Sequence, residues 1–283
     1  MRTDQEMLSI ILKYAVDDKR IRVVTIEGSR LNENIYKDKF QDFDISFIVT
    51  DIESYKDNDN WLDVFGKRVI MQKPEAMAMF PSTLGNWYSY IILFEDGNKM
   101  DLKLIPLHEL EKYFNESDSL TKILIDKDKI CPVLNNPSDI DFRVKKPSPE
   151  FIDDCCNEFW LLLIYTIKGL YRDELLYAIK HLDLMREQML TMISWKIGID
   201  NAFSLNIGKA YKYLNKYVSK DLWASITKTF RNDSIDETWN SLILCCTIFH
   251  EMTIFVSNAL GYHCPQYEEK ITEYIKEYIS LKK

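Results

Sequence analysis

Apolar residues recur along this chain in two rhythms, and the change between them divides it. Near the start, Thr3 and Glu6 form a capping-box pair, and Met7, Leu8, Ile10, Ile11, Tyr14 and Ala15 follow at helical spacing. Ile21 to Glu27 is β-branched and bounded by Gly28, which predicts a strand. Asp42 to Thr50 predicts another, Arg68 to Gln72 a short one, and Lys122 to Asp126 an edge strand. Trp87–Glu95 and Asn98–Ile105 are apolar runs separated by Asp96-Gly97, the signature of a two-residue hairpin turn. Helical patches fall at Trp61–Phe65 and Leu107–Phe114.

Pro132, Pro137, Pro147 and Pro149 then interrupt the pattern, with few apolar residues between them. Beyond them strand signals cease. Helical periods run over about 150–171, 173–197, 205–217, 219–230, 235–260 and 264–281, with Asp173, Ser219 and Ser234 or Asp236 as N-cap candidates. The expected fold class is α+β: a sheet domain over 1–135, a linker over 136–149 and an all-α helical bundle over 150–283.

Composition narrows the function. The chain has 283 residues, 46% hydrophobic and 28% charged, enough to bury a core. The net charge is −8. Before Pro147 there are 21 Lys and Arg against 26 Asp and Glu; after it, 15 against 18. Neither half offers the basic surface that nucleic-acid phosphates require, whereas a cationic small partner would be attracted. There are only 8 glycines, and neither Gly-x-Gly-x-x-Gly nor a P-loop occurs. No uninterrupted apolar run approaches the ~20 residues needed to cross a bilayer, and the start has no signal-peptide apolar stretch, so a cytoplasmic location is expected. The six cysteines include adjacent pairs but no Cys-x-x-Cys, consistent with reduced thiols.

Candidate chemistry gathers at Gly28-Ser29-Arg30, Asp42-Phe43-Asp44 and Asp101. Glycine after a strand lets backbone N–H groups approach an anion, and a following helix start would favour phosphate. Alternation along a strand puts Asp42 and Asp44 on one face, with Phe43 on the other. In Lys99-Met-Asp-Leu-Lys-Leu-Ile, Met100, Leu102 and Leu104 take one face, and Asp101, Lys103 and Ile105 the other. Three carboxylates on one side of a sheet repel one another unless a cation lies between them. Asp oxygens and substrate phosphates suit hard divalent ions, and two such ions can clamp an in-line displacement at phosphorus. An isolated Asp-x-Asp is common on edge strands; the joint pattern is far more specific.

That pattern resembles the signature of the polymerase-β-like nucleotidyltransferases. Glu27-Gly-Ser-Arg-Leu-Asn-Glu-Asn-Ile, Lys39-Phe-Gln-Asp-Phe-Asp-Ile, Gln72-Lys-Pro-Glu, Lys99-Met-Asp-Leu, Asp154-Cys-Cys-Asn-Glu-Phe-Trp, Lys168-Gly-Leu and Met192-Ile-Ser-Trp are similar to the streptomycin 6-adenylyltransferases of Gram-positive bacteria. The resemblance implies a nucleotidyltransferase-type mixed sheet with flanking helices, followed by an aminoglycoside-binding bundle. It implies AMP transfer from ATP to the 6-hydroxyl of streptomycin, pyrophosphate release and antibiotic resistance, with Mg2+ as two ions. Asp42 and Asp44 would hold the magnesium; Asp101 would complete that site or accept the hydroxyl proton. Gly28 and Ser29 would cradle the β- and γ-phosphates. Arg30 would either neutralise the triphosphate or be a surface cation.

A second constellation lies on the first helix after the linker. Asp154, Glu158, Leu161, Tyr165, Lys168 and Arg172 follow at steps of 4, 3, 4, 3 and 4, one stripe of a helix. It is either a solvated face or the wall of a cleft. In the second case Lys168 would meet the triphosphate, as the resemblance implies, and Asp154 and Glu158 the guanidinium groups of streptomycin, with Tyr165 beside them. Glu158 competes with Asp101 for the role of base. His181 is either a structural residue or a substrate contact. His250-Glu-Met-Thr-Ile lacks the second histidine of a zinc-protease motif. Another aminoglycoside, a nucleotide or a protein hydroxyl remains an alternative acceptor, and a monomer and a homodimer are both compatible with the sequence.

Overall fold

A computed structural model describes residues 2–280 and divides the chain into two compact units, with the boundary between Asp141 and Phe142. The first unit opens with α1 (Asp4–Asp17). The capping box forms as expected: Thr3 N–H donates to Glu6 Oε2 at 2.7 Å and Glu6 N–H to Thr3 Oγ1 at 3.2 Å. Met7, Ile11 and Ala15 are buried along one stripe. Then come β1 (Ile21–Glu27), β2 (Phe43–Val49), the single turn α2 (Glu53–Lys56), β3 (Arg68–Gln72), β4 (Tyr88–Phe94), β5 (Lys99–Pro106), α3 (Leu110–Glu116) and β6 (Thr121–Asp126).

The strands form one mixed sheet in the order β3-β4-β5-β2-β1-β6, with β2 and β5 parallel and the other neighbours antiparallel. One face carries Ile26, Phe43, Ile45, Phe47, Met100, Leu102 and Leu104, which pack with the α1 stripe into the main core of this unit. The other face is apolar only at one end, where Val23, Ile48 and Ile105 meet Trp87 and Tyr113. Its other end is polar.

The hairpin between β4 and β5 differs from the expected two-residue turn. Phe94 N–H donates to Asn98 O, leaving Glu95, Asp96 and Gly97 as a three-residue loop, with Gly97 at φ +84°. A left-handed third residue is what such a loop requires, and glycine supplies it without a Cβ clash. Arg2 ties the loop down by donating from Nε to Asp96 Oδ2 at 2.6 Å.

The second unit contains α4 (Pro149–Tyr171), α5 (Leu175–Asp200), α6 (Lys220–Lys228), α7 (Ile235–Leu260) and α8 (Tyr267–Ser280). Its core joins α4, α5 and α7 through residues such as Phe159, Met189 and Phe249, the two phenylalanine rings stacked 3.7 Å apart. Ser219 and Ser234 cap α6 and α7. Two expectations fail here, and one helix is more apolar than its interrupted run suggests. Asp173 is not a cap: it sits at φ +61°, and Glu174 precedes α5 with no side-chain cap bond. No regular helix forms over 205–217, which holds two short 3-10 turns with Ala210 and Tyr211 at positive φ. Finally, α7 is long and apolar enough by length and composition to cross a membrane, although His250 and Glu251 interrupt its apolar run. In the structure it packs against α5, α6 and α4 and buries Leu242, Cys245, Phe249 and Val256.

Candidate active site

Register builds the site. Glu27 of β1 lies opposite Asp44 of β2, and Asp44 lies opposite Asp101 of β5, so three adjacent strands place three carboxylates in one row. Alternation puts this row on the face away from the main core, because Ile26, Phe43, Ile45, Met100 and Leu102 beside it are buried in that core. Asp42, two residues before Asp44, joins the same face. The next row, Thr25, Ser46 and Lys103, is also polar.

Each acid has a different environment. Glu27 is well satisfied: it accepts from Ser46 Oγ at 2.5 Å, from Tyr113 Oη at 2.7 Å and from Lys103 Nζ at 2.6 Å. Tyr113 Oη also bonds Thr25 Oγ1. Asp42 and Asp101 share one cation. Lys99 Nζ donates to Asp42 Oδ2 at 2.8 Å and to Asp101 Oδ1 at 2.6 Å. Partial burial pulls the Lys99 ammonium down, but the bonds to Asp101 and Asp42 outweigh it, and its pKa lies above the ordinary lysine value. Asp44 carries the strain of the cluster. Burial first, and then repulsion from Asp101, Asp42 and Glu27, push its carboxyl up to about 6, with the Lys99 charge offsetting part of the effect.

Gly28 is shaped by Asp44. It has φ +76°, and a Cβ there would stand 2.6 Å from Asp44 Oδ2. Only a residue without a side chain lets the turn and the carboxylate occupy adjacent space. The helix start expected after Ser29 is a four-residue 3-10 turn, Gly28–Leu31, so it offers little of a helix macrodipole to a phosphate. Ser29 sits in this turn, and its carbonyl accepts from Gln41 Nε2 at 3.1 Å. Arg30 is neither a loose surface cation nor a group aimed outward. Its guanidinium donates to the carbonyls of Asp42 at 2.8 Å and Gln41 at 2.7 Å, lies 3.5 Å from the Phe43 ring centroid and pairs with Asp4 at 2.5 Å. It fixes the segment that delivers Asp42 and Asp44.

The donor set is chemically suited to a hard divalent ion: carboxylate oxygens with an excess of negative charge that a cation would relieve. As the side chains stand, no group of three or more His, Cys, Asp or Glu among the described residues is gathered to hold an ion, and the Lys99 ammonium lies between Asp42 and Asp101. Asp42 and Asp101 thus flank a position that a cation already occupies.

In the second unit, Asp154, Glu158, Leu161 and Lys168 are exposed along one face of α4. The Lys168 ammonium lies 5.6 Å from the Tyr165 ring. The His181 ring stands between Tyr165 and Tyr177, 5.3 and 4.2 Å from their centroids, and its Nδ1 is 2.8 Å from Tyr177 O.

Sequence reasoning missed Glu27, Lys99 and Tyr113. For Lys99 a signal existed: strand alternation through 99, 101 and 103 places Lys, Asp and Lys on one face. Glu27 reads only as a strand end until the β1–β2 register sets it beside Asp44, and Tyr113 arrives from α3, far along the chain.

Residues 1–278 match the family model described as streptomycin adenylyltransferase. An aminoglycoside 6-adenylyltransferase of Bacillus subtilis (strain 168) is 48% identical over 284 residues, covering 100% of both chains. One of Campylobacter jejuni is 46% identical over 276 residues, covering 97% of this chain and 95% of its own. A crystal structure of an aminoglycoside 6-adenyltransferase from Bacillus subtilis aligns at 44% identity over 98% of both chains, with a TM-score of 0.48. A match over nearly the whole chain, with the carboxylate row inside it, shows that this protein belongs to the streptomycin adenylyltransferase family of nucleotidyltransferase enzymes.

Proposed function

We propose that the enzyme transfers AMP from ATP to the 6-hydroxyl of streptomycin and releases pyrophosphate. The observation that carries this reading is the row Glu27–Asp44–Asp101, with Asp42 beside it, on the sheet face away from the main core and next to the Gly28 turn. Relatives named aminoglycoside 6-adenylyltransferase support the choice of acceptor class.

The acceptor oxygen bonds to the α-phosphorus of ATP, the bond to the β-phosphate oxygen breaks, and pyrophosphate leaves. Asp42, Asp44 and Asp101 would hold Mg2+, as two ions, which when bound supplies charge neutralisation for the phosphates. Gly28 and Ser29 would leave room for the β- and γ-phosphates against the backbone, and Lys168 would add a cation from the second unit. Arg30 would act through Asp42, Phe43 and Gln41. The acceptor proton goes to a carboxylate, for which Asp101 and Glu158 are the two candidates. The exposed acids Asp154 and Glu158 would pair with the guanidinium groups of streptomycin, alongside Tyr165 and His181.

The test is incubation of the enzyme with ATP labelled at the α-phosphate, Mg2+, and streptomycin, spectinomycin or kanamycin in turn. Label on streptomycin with equimolar pyrophosphate is expected. Label on another aminoglycoside, or on protein with streptomycin inert, refutes the acceptor assignment. Glu158→Gln and Asp101→Asn compared by pH profile separate the two candidate bases.

A further inference from the structure

Lys99 is placed by the fold between two acids. Asp101 is its i+2 neighbour on β5, on the same strand face, and the parallel register that pairs Phe43 with Met100 brings Asp42 alongside Lys99 one step earlier. Its ammonium bonds both carboxylates, at 2.8 and 2.6 Å, while remaining about one-third exposed. Lys103, two residues on, is committed differently: it pairs with Glu27, which also holds Ser46 and Tyr113. Of the two lysines on this face, Lys99 is the one that bridges two acids, Asp101 of β5 and Asp42 just before β2.

Resting on the nucleotidyltransferase reading above, we propose that Lys99 is a displaceable internal counter-ion, a positioning residue that holds Asp42 and Asp101 until a divalent cation takes its place. The argument is one of occupancy. A cation that binds both Asp42 and Asp101 needs the oxygens that Lys99 now uses, so ammonium and metal compete for the same atoms. A lysine is suited to this exchange. Its charge rides on a flexible four-carbon stem and its donors are not locked in a planar fork, unlike the Arg30 guanidinium that is fixed by two carbonyls and a ring. Lys99 therefore limits repulsion in the metal-free protein and raises the ion concentration needed to fill the site.

The test is Mn2+ binding to the full-length, nucleotide-free enzyme, read by loss of the free-ion electron paramagnetic resonance signal. Lys99→Met removes the competitor, and Mn2+ affinity is expected to tighten about tenfold or more. An unchanged or weaker affinity overturns the proposal. Should Lys99→Met fail to fold, Lys99→Gln and a crystal structure of the wild-type enzyme with Mg2+ and a non-hydrolysable ATP analogue decide it. Departure of Lys99 Nζ from at least one of Asp42 and Asp101 supports displacement, and a lysine still bridging both beside a bound ion overturns it. Wild-type enzyme that releases no pyrophosphate, with Mn2+ binding still tightened by Lys99→Met, refutes the transfer reading alone. Active wild-type enzyme with Mn2+ affinity unmoved by Lys99→Met refutes the displacement alone.

Discussion

Replacing Gly28 by alanine separates two costs that the structure places at one residue. The first is backbone strain: φ is +76°, a left-handed conformation that costs a residue with a Cβ about 1–2 kcal/mol. The second is steric. The new Cβ would stand 2.6 Å from Asp44 Oδ2, and ordinary contact begins at 3.4 Å, so the carboxylate must retreat by nearly 1 Å. A misplacement of about 1 Å in a reacting site costs roughly 100-fold in rate. Gly28→Ala is therefore expected to lose about 1–2 kcal/mol of stability and about two decades of kcat. Gly85→Ala is the control. Gly85 has φ +65° with nothing within 4 Å of its would-be Cβ, so it should show the same strain and near-normal turnover. Thermal unfolding and steady-state adenylylation of both variants make the comparison. Gly28→Ala with turnover close to wild type, and a stability loss equal to that of Gly85→Ala, would show that the Asp44 position is immaterial to catalysis.

Asp44→Asn, which removes one of the charges proposed to hold Mg2+, should lower kcat by at least about 10³-fold, while leaving the melting temperature at pH 8 equal or higher, because the charge removed is one the fold disfavours. The Asp44 carboxyl titrates near 6 folded and near 3.8 unfolded, so the folded state holds the extra proton between those values. Stability from this group is thus present at low pH and lost as pH rises through about 6, by about 3 kcal/mol. The stability difference between wild type and Asp44→Asn should accordingly grow from pH 4 to pH 6.5, and a difference independent of pH sinks the assignment. Under limiting Mg2+, turnover should fall as pH drops below about 6, because protons then compete for Asp44. Tyr113→Phe removes a donor to Glu27 and should cost about 1–2 kcal/mol in urea unfolding. Arg186→Met in the bundle removes a buried guanidinium that bonds Thr229 O and Asp183 and lies 4.6 Å from the Phe230 ring. It strands a buried carbonyl and should cost about 2–4 kcal/mol, checked by thermal unfolding.

Local rules made much of this molecule legible. The Thr3–Glu6 box, the strands around Gly28 and Asp44, and the serine caps at Ser219 and Ser234 depend on neighbours within a few residues, and the chain displays those directly. Alternation placed Phe43 in the core and Asp42, Asp44 and Asp101 outside it. Strand pairing is long-range, and there the reading stopped: nothing local says that Glu27 faces Asp44, that Asp44 faces Asp101, or that Tyr113 reaches Glu27 across 86 positions. The failures at 205–217 and Asp173 have another cause. Apolar spacing over 205–217 fits a helix, but Ala210 and Tyr211 adopt positive φ there, and Asp173 takes the left-handed position that closes α4, where Glu174 N–H donates to Gly169 O at 2.8 Å and Asp173 N–H to Leu170 O at 3.4 Å. At α7 a count of uninterrupted apolar residues missed how apolar the whole helix is.

The distribution of charge across the polar face bears on why the acids are there. An acidic row that served the fold would be expected to have its acids paired, and part of this one is. Glu27 has three donors, and Asp42 and Asp101 share Lys99. The deficit collects at Asp44, which is the most central of the acids, lying between Glu27 and Asp101 in the row and pressed against Gly28. A neutral residue there would remove both the burial cost and the repulsion. As far as stability is concerned, Asp44 is therefore a liability, and the glycine turn that makes room for its carboxylate adds conformational entropy to the unfolded chain. Two adjacent positions that each work against folding make sense together if the charge they preserve is used in another state of the protein, in which positive charge is brought to Asp44 from outside the chain.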